Sequence, residues 1–184
     1  MIGKKFLQII SVIIMAVSLT GCERCLMRVN LKRMTGNTIS LSKQILSVSD
    51  SVVRPLDDSL MSVPKLVVYI DSTECESCRI QKLYQYNRLA ELSRKSRKYE
   101  LVILFSPKRE GKEQFVKLLQ HKDYPFPVYV DIDNDFEKMN AFIPRDSRFH
   151  TFLLDGSNKP VIVGDPLSGE RKEELLLSIL DSWE

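Results

Sequence analysis

The sequence predicts an α/β fold in which a central mixed β-sheet is flanked by helices. From residue 65 onward, short apolar runs rich in β-branched residues alternate with segments typical of helices, in the order β-α-β-α-β-α-β-β-α. The alternation favours parallel strands joined by helices, whereas the closing hairpin adds antiparallel strands. Together these two patterns predict a mixed sheet with helices on both faces.

Each predicted element rests on a local pattern of apolar and polar residues. Buried strands are expected at 66–70, 100–105 and 127–131, and a hairpin at 151–155 and 160–163. Helices are expected at 75–97, 111–122, 135–142 and 170–182. The stretch before residue 65 is less regular, and there we expect short edge strands at 39–41 and 51–53 with a helical turn at 42–47.

The first residues have the pattern of an export signal. Lys4 and Lys5 precede an apolar run from Phe6 to about Leu19, which is too short to span a bilayer. The run ends in Leu19-Thr20-Gly21-Cys22, a string that resembles the bacterial lipobox. We therefore expect residues 1–21 to be a lipoprotein signal peptide and Cys22 to carry the lipid, such as palmitate. The alternative is a simple signal peptide or a short uncleaved anchor in which Cys22 is incidental.

After the expected cleavage, the mature chain is predicted to be a membrane-anchored protein with a short tether and one domain. Residues 22–36 are expected to be a lipidated tether and residues 37–184 a folded domain. Glu23-Arg24-Cys25 lacks an acidic run, which favours the periplasmic side of the membrane. The chain has 27 basic and 24 acidic residues, and Lys4 and Lys5 are lost with the signal peptide. The nearly neutral remainder argues against a nucleic-acid-binding surface.

The strongest chemical motif is Cys75-Glu76-Ser77-Cys78, which falls between a predicted strand and a predicted helix. In this position the free N–H groups of a helix start favour a thiolate, and the second sulfur lies one turn away. Thr73 and Glu76 have the spacing of a capping box, which would start the helix beside Cys75. In a redox role Cys75 would be the attacking thiolate and Cys78 the resolving thiol.

Other readings of the same motif stay open. The pair can be a structural disulfide, or it can be inert in a domain that only binds other molecules. It can also be half of a zinc site, although no second Cys/His pair follows at a suitable spacing. Cys25 is expected to be a free thiol on the tether, with an intermolecular disulfide as the alternative.

With these strings the chain resembles the thioredoxin superfamily, in particular membrane-anchored TlpA-type thiol–disulfide oxidoreductases and thioredoxin-like lipoproteins of Bacteroidales bacteria. The resemblance covers about residues 65–184 and rests on the segments 67–71, 75–78, 126–131 and 151–156. It implies a thioredoxin-like fold with Cys75 as nucleophile and without a cofactor. The implied partners are periplasmic or membrane proteins that carry thiols or disulfides.

Two positions depart from the family pattern. Glu74 stands where a tryptophan usually precedes the first cysteine, and Phe149 stands where the family has a cis-proline. A cis bond before Phe149 would cost about 2.5–4 kcal/mol, so we expect it to be trans. His150 follows Phe149, and the favoured interpretation is an exposed or hydrogen-bonded histidine on a strand. The alternative places it near Cys75, where an imidazolium would favour the thiolate and a neutral ring could bind a soft metal.

The charged residues near the motif predict whether the cysteine pair acts as a reductant or as an oxidant. Glu74 and Glu76, with Asp71 close by, oppose a thiolate at Cys75 and so favour a reducing couple. The sequence therefore predicts a reductase or isomerase type of thiol–disulfide oxidoreductase. The alternatives are a non-catalytic thioredoxin-like binding lipoprotein with a structural disulfide, and a copper-handling protein that uses Cys75, Cys78 and His150.

Overall fold

The computed structural model describes residues 23–108 and 110–183. Its strands are β1 (Leu46–Ser49), β2 (Val52–Pro55), β3 (Lys65–Ile70), β4 (Glu100–Phe105), β5 (Val128–Val130), β6 (Thr151–Leu154) and β7 (Pro160–Val163). Its helices are α1 (residues 23–35), α2 (Glu76–Gln81), α3 (Asn87–Ser96), α4 (Lys112–Gln120), α5 (Asp135–Met139) and α6 (Glu170–Ser182). From β3 onward this order matches the sequence-based prediction, apart from the interruption between α2 and α3.

The strands of the described residues form one seven-stranded sheet in the order β2-β1-β5-β4-β3-β6-β7. β3 is parallel to β4 and antiparallel to β6, and β6 is antiparallel to β7. A β-α-β unit followed by an antiparallel hairpin and a helix is the thioredoxin-like arrangement, with β5 added beside β4. The predicted fold class, an α/β thioredoxin-like fold with a mixed sheet, is therefore confirmed.

Every residue of β3 is buried, because other elements cover both faces of the sheet at this strand. Leu66, Val68 and Ile70 face a core layer that includes Leu89 of α3, Leu119 of α4 and Leu176 of α6. Val67 and Tyr69 face the other layer, with Met34 of α1 and Phe136 of α5. The alternation of side chains along a strand explains why one apolar run supplies both layers.

The predicted continuous helix at 75–97 is wrong, because α2 ends at Gln81 and a 3₁₀ turn, Leu83–Tyr86, precedes α3. Residues three apart are eclipsed in such a turn, so Leu83 and Tyr86 both enter the core. Tyr84, which a continuous helix would have turned inward, is 53% exposed. Core packing has overridden the helical propensity of this segment.

The predicted helical turn at 42–47 is also wrong, because β1 begins at Leu46 and pairs with both β2 and β5. Asp50 and Ser51 join β1 to β2 with φ angles of 49° and 62°. Two residues with positive φ make the tight turn that suits a hairpin. The strand expected at 51–53 overlaps β2, whereas residues 39–41 are not in a strand.

The segment expected to be a tether is helical and touches the domain. Met34, near the end of α1, is fully buried, and Arg33 donates a hydrogen bond of 3.1 Å to the carbonyl of Ala141. Glu23 forms an ion pair of 2.9 Å with Arg148. The expected signal peptide and Cys22 lie outside the described residues, so cleavage and lipidation stay predictions.

No helix within residues 23–108 and 110–183 combines the length and the apolar character that crossing a membrane requires.

Candidate functional site

Cys75 and Cys78 form a disulfide with a Cα–Cα distance of 5.3 Å. Both cysteines are exposed, and they lie at the start of α2, just beyond the carboxyl end of β3. Cys75 is the N-cap residue of α2, and its carbonyl accepts a hydrogen bond of 3.0 Å from the N–H of Arg79. The helix therefore begins at the disulfide itself, so that the first sulfur stands at the end of a loop and the second within a helix.

The loop before Cys75 is shaped by Asp71 rather than by the predicted capping box. Oδ1 of Asp71 accepts hydrogen bonds from the N–H and the hydroxyl of Thr73, at 2.8 and 2.6 Å. The carbonyl of Asp71 accepts a third, of 3.2 Å, from the N–H of Glu74. This Asx turn ends before α2, whose N-cap residue is Cys75 rather than Thr73, so the predicted capping box does not form. The turn directs Glu74 inward and leaves Cys75 at the surface.

Glu74 connects three parts of the site. One of its carboxylate oxygens, Oε2, lies 3.3 Å from Nε of Arg79 in α2. The other, Oε1, lies 3.7 Å from Nδ1 of His150, the residue directly before β6. The carboxylate predicted to oppose a thiolate at Cys75 is thus paired with a cation, so its repulsion is smaller than its sequence position indicates.

His150 is buried, at 4% exposed, beside the strand that leads to the disulfide. The N–H of Tyr69 donates a hydrogen bond of 2.7 Å to the carbonyl of His150, which extends the pairing of β3 with β6. Nε2 of the ring lies 2.9 Å from the carbonyl oxygen of Pro144. Burial disfavours the charged ring, but Glu74, the Pro144 carbonyl and Asp71 outweigh burial and raise the pKa of His150 above its ordinary value.

The other two predicted neighbours of the site have different surroundings. Oε1 of Glu76 accepts a hydrogen bond of 2.8 Å from the N–H of Lys108, which joins the start of α2 to the loop after β4. Phe149 is buried in the core and also lines a cavity of about 610 Å³ under α1, together with Met27 and Leu31. The described residues contain no cis peptide bond, so the trans bond expected before Phe149 is confirmed.

The described part of the chain brings together no group of three His, Cys, Asp or Glu side chains that could hold a metal ion. The cysteines are joined to each other, and both nitrogens of His150 face oxygen atoms of Pro144 and Glu74. Cys25 is a free, exposed cysteine on α1. Among the described residues the geometry therefore offers a disulfide flanked by the charged side chains of Glu74 and Arg79, and it brings together no set of soft-metal ligands.

Sequence reasoning missed Arg79, Pro144 and the turn at Asp71. The spacing Asp71-Ser72-Thr73 is typical of an Asx turn and was a usable signal. No local pattern predicts the contact of Arg79 with Glu74. The two residues are five apart in sequence, and they meet because a loop leads into a helix between them. The contact of Pro144 with His150 depends on the path of the loop after α5, which no local pattern specifies.

A search with family models found no match to this chain, and a search of curated proteins found none either. Among solved structures, the chain is similar to an uncharacterized thioredoxin-like protein from Porphyromonas gingivalis, at 18% identity and a TM-score of 0.48, over 79% of this chain and 93% of that chain. It is also similar to the pneumococcal exposed lipoprotein thioredoxin (Etrx1) from Streptococcus pneumoniae, at 17% identity and a TM-score of 0.49, over 74% and 97%. A thiol-disulfide oxidoreductase from Bacteroides fragilis matches at 14% identity and a TM-score of 0.46, over 76% and 99%. At these identities and scores, the fold assignment rests on the strand order of the chain itself.

Proposed function

We propose that this chain is a membrane-anchored lipoprotein whose thioredoxin-like domain exchanges disulfides with periplasmic or membrane proteins. Cys22 carries the lipid, and Cys75 and Cys78 carry the redox chemistry. The proposed direction is reduction or isomerisation of the partner's disulfide.

The observation that carries the proposal is the exposure of the Cys75–Cys78 disulfide at the start of α2. A disulfide that only braces a fold gains nothing from exposure, whereas exchange requires that an incoming sulfur can reach the bond. Cys75 is the last residue before a helix, so its sulfur can be attacked without displacing the core. The pair also closes a very short loop, and cross-linking so short a loop restricts the unfolded chain little.

The proposed reaction moves two electrons from the dithiol to the partner. The Cys75 thiolate attacks one sulfur of the partner's disulfide, which forms a mixed disulfide and releases the other sulfur as a thiolate that takes up a proton. The Cys78 thiol then loses its proton and attacks Cys75, which releases the second partner sulfur. The partner ends as a dithiol and this protein as the disulfide, which a membrane-associated dithiol reductant must reduce again.

Charge supports the reducing direction less strongly than the sequence predicts. Arg79 compensates Glu74, whereas Glu76, directly after Cys75, is engaged by the uncharged N–H of Lys108. The remaining negative charge of Glu76 disfavours a thiolate at Cys75 and so favours the oxidised pair. This balance suits a reductase better than a strong oxidant.

The second candidate is a non-catalytic binding lipoprotein with a structural disulfide. It is favoured by Phe149, which is buried in the core at the position where the resemblance places a substrate-binding proline. The copper-handling alternative has less support, since the described residues do not bring three ligands together.

The test is reduction of insulin disulfides by the full-length protein in detergent, with dithiothreitol as the electron source. We expect the wild-type protein and the control Cys25→Ser to accelerate the reaction equally, because Cys25 is remote in sequence and lies on α1. Cys75→Ser should abolish the acceleration, and Cys78→Ser should accumulate a mixed disulfide at Cys75. A wild-type protein that gives no acceleration, or a Cys75→Ser variant as active as wild type, would support the structural alternative instead.

A further inference from the structure

The hydrogen bonds of His150 restrict where its protons are. A carbonyl oxygen only accepts, so the 2.9 Å contact with Pro144 requires a proton on Nε2 of His150. In a neutral ring, Nδ1 would then be an unprotonated acceptor. That atom faces Oε1 of Glu74 at 3.7 Å, which is longer than a hydrogen bond, and both atoms are buried without a hydrogen-bond partner among the described residues.

Two acceptors that face each other in a buried site are unfavourable, because each has lost water without gaining a donor. A single proton on either Nδ1 or Oε1 removes this conflict, because one of the two facing atoms then becomes a donor. It makes either an imidazolium paired with a carboxylate or a neutral ring paired with a carboxylic acid. In both arrangements the pair of Glu74 and His150 has no net charge.

We propose that Glu74 and His150 share one proton at neutral pH and act as a positioning pair that controls the charge beside Cys75. When the pair loses this proton, the charge of Glu74, His150 and Arg79 taken together falls from +1 to zero next to Cys75. The Cys75 thiolate is then disfavoured. This inference deepens the proposed function, because its redox consequence matters only if the disulfide takes part in exchange.

The surroundings of His150 are closed except for one small cavity, which Glu74 does not line. A cavity of about 20 Å³ lies beside His150, Tyr69 and Asp71, and it has room for one water molecule. The ring of Tyr69 lies 5.2 Å from the ring of His150 and closes one side of the site. The titratable and charged groups around the pair come from every element packed against it: Tyr69 and Asp71 of β3 and its loop, Arg79 of α2, Tyr86 of the 3₁₀ turn, Glu137 of α5, and Arg145 and Asp146 before β6.

The first test uses the low histidine content of the chain, which contains only His121 and His150. In the full-length His121→Gln variant in detergent, the remaining imidazole signals in a ¹⁵N NMR titration belong to His150. We expect the ring to titrate above its ordinary value, with Nε2 protonated throughout. Adding Glu74→Gln should move the titration to lower pH, because an amide cannot supply the charge that stabilises the imidazolium. An unchanged titration in the double variant would overturn the proposed sharing.

The second test measures the consequence for Cys75. In the reduced protein, the rate of Cys75 alkylation by iodoacetamide should rise with pH less steeply than the ionisation of a single thiol requires. The reason is that Glu74 and His150 lose their proton over the same pH range in which the Cys75 thiol ionises. His150→Gln should remove this flattening and slow alkylation near pH 6.5 by about 3- to 10-fold, as expected for a lost neighbouring cation. The control His121→Gln, an exposed residue of α4's end, should behave as wild type.

The outcomes separate this inference from the proposed function. If the NMR titration depends on Glu74 but insulin is not reduced, the shared proton stands and the exchange activity fails. If insulin is reduced while neither the titration nor the alkylation profile responds to the variants, the positioning pair fails and the exchange activity stands. His150 is buried, so His150→Gln can fail to fold. In that case the NMR titration of His150 in the Glu74→Gln variant decides whether the pair holds the proton.

Discussion

Nε of Arg79 lies 3.3 Å from Oε2 of Glu74, which ties the residue before Cys75 to the second half of α2. The two side chains are 29% and 19% exposed, so water screens the pair only in part. This contact joins the loop after β3 to the short helix α2, and the disulfide lies at the junction of the two. The contact also places a cation where the sequence alone indicates an excess of negative charge.

Replacing Arg79 by Gln should slow the alkylation of reduced Cys75 at neutral pH by about threefold. The carboxylate of Glu74 then lacks its guanidinium partner and disfavours the neighbouring thiolate, with a modest effect because the pair is partly exposed. The measurement is the iodoacetamide rate of the reduced protein at constant ionic strength. The matched control is Lys82→Gln, which removes an exposed positive charge at the end of α2. Equal rates for both variants would show that the ion pair has no specific role.

Replacing Cys22 by Ala should abolish lipidation and release the protein from the membrane fraction. The prediction follows from the lipobox-like string before Cys22 and from the need for a thiol at the attachment point. Intact-protein mass spectrometry and membrane fractionation measure the two effects. Cys25→Ala, three residues along, serves as the control and should stay lipidated. A lipidated Cys22→Ala variant would place the anchor elsewhere.

The contribution of Lys65 to the free energy of unfolding should increase as the pH rises from about 8. Burial lowers the pKa of Lys65 to about 8, an effect that Asp155 only partly opposes. Between this value and the ordinary value of 10.5, the unfolded state binds more protons than the folded state, so the free energy of unfolding rises with pH. Below pH 8 the cost of burying the charged amine is fully present.

The measurement is the free energy of unfolding at several pH values for the wild type and Lys65→Met. The difference between them should shift in favour of the wild type as the pH rises from 8 to 10. Taking this difference also removes the opposing contributions of Tyr69, Tyr99 and Tyr129, whose pKa values are raised by burial. The control is Lys117→Met, which makes the same substitution at an exposed position of α4.

Replacing Asn140 by Asp should destabilise the domain by about 2–4 kcal/mol. The amide nitrogen of Asn140 donates to the carbonyls of Ser40 and Phe136 at 2.8 Å each, and its oxygen accepts from the N–H of Ser40 at 2.8 Å. A carboxylate of the same shape would set an acceptor against two carbonyls in a buried place. Urea unfolding measures the loss, with the exposed Asn87→Asp as control. A loss below about 0.5 kcal/mol, the usual size of a surface effect, would contradict the prediction.

The fold was largely predictable from the strands and helices after residue 65. β3 and β4 are continuous apolar runs because both faces of a parallel strand are buried, and such runs are visible in a single sequence. The break between α2 and α3 was not predictable, since it depends on how Leu83 and Tyr86 fit the core. The hairpin of β1 and β2 was only partly predictable, because Asp50 and Ser51 are weaker turn signals than residues that include glycine.

The site was predictable in its cysteines and less so in their surroundings. The motif and its place after a strand predicted the Cys75–Cys78 pair, and the position after Phe149 pointed to His150. The sequence indicated uncompensated acidic residues around Cys75, whereas the fold pairs Glu74 with Arg79 and faces it toward His150. These contacts join residues from a loop, a helix and a distant strand, and so depend on the assembled sheet.

By itself, the sequence determined the α/β class, the order of the elements from β3 onward and the two cysteines of the site. These features are local, because apolar periodicity and a short motif are properties of neighbouring residues. Only the tertiary structure decided that α1 packs against the domain, that α2 is a short helix, and that Glu74 is held between Arg79 and His150. The physical reason is that burial and charge pairing depend on which distant segments the sheet brings together.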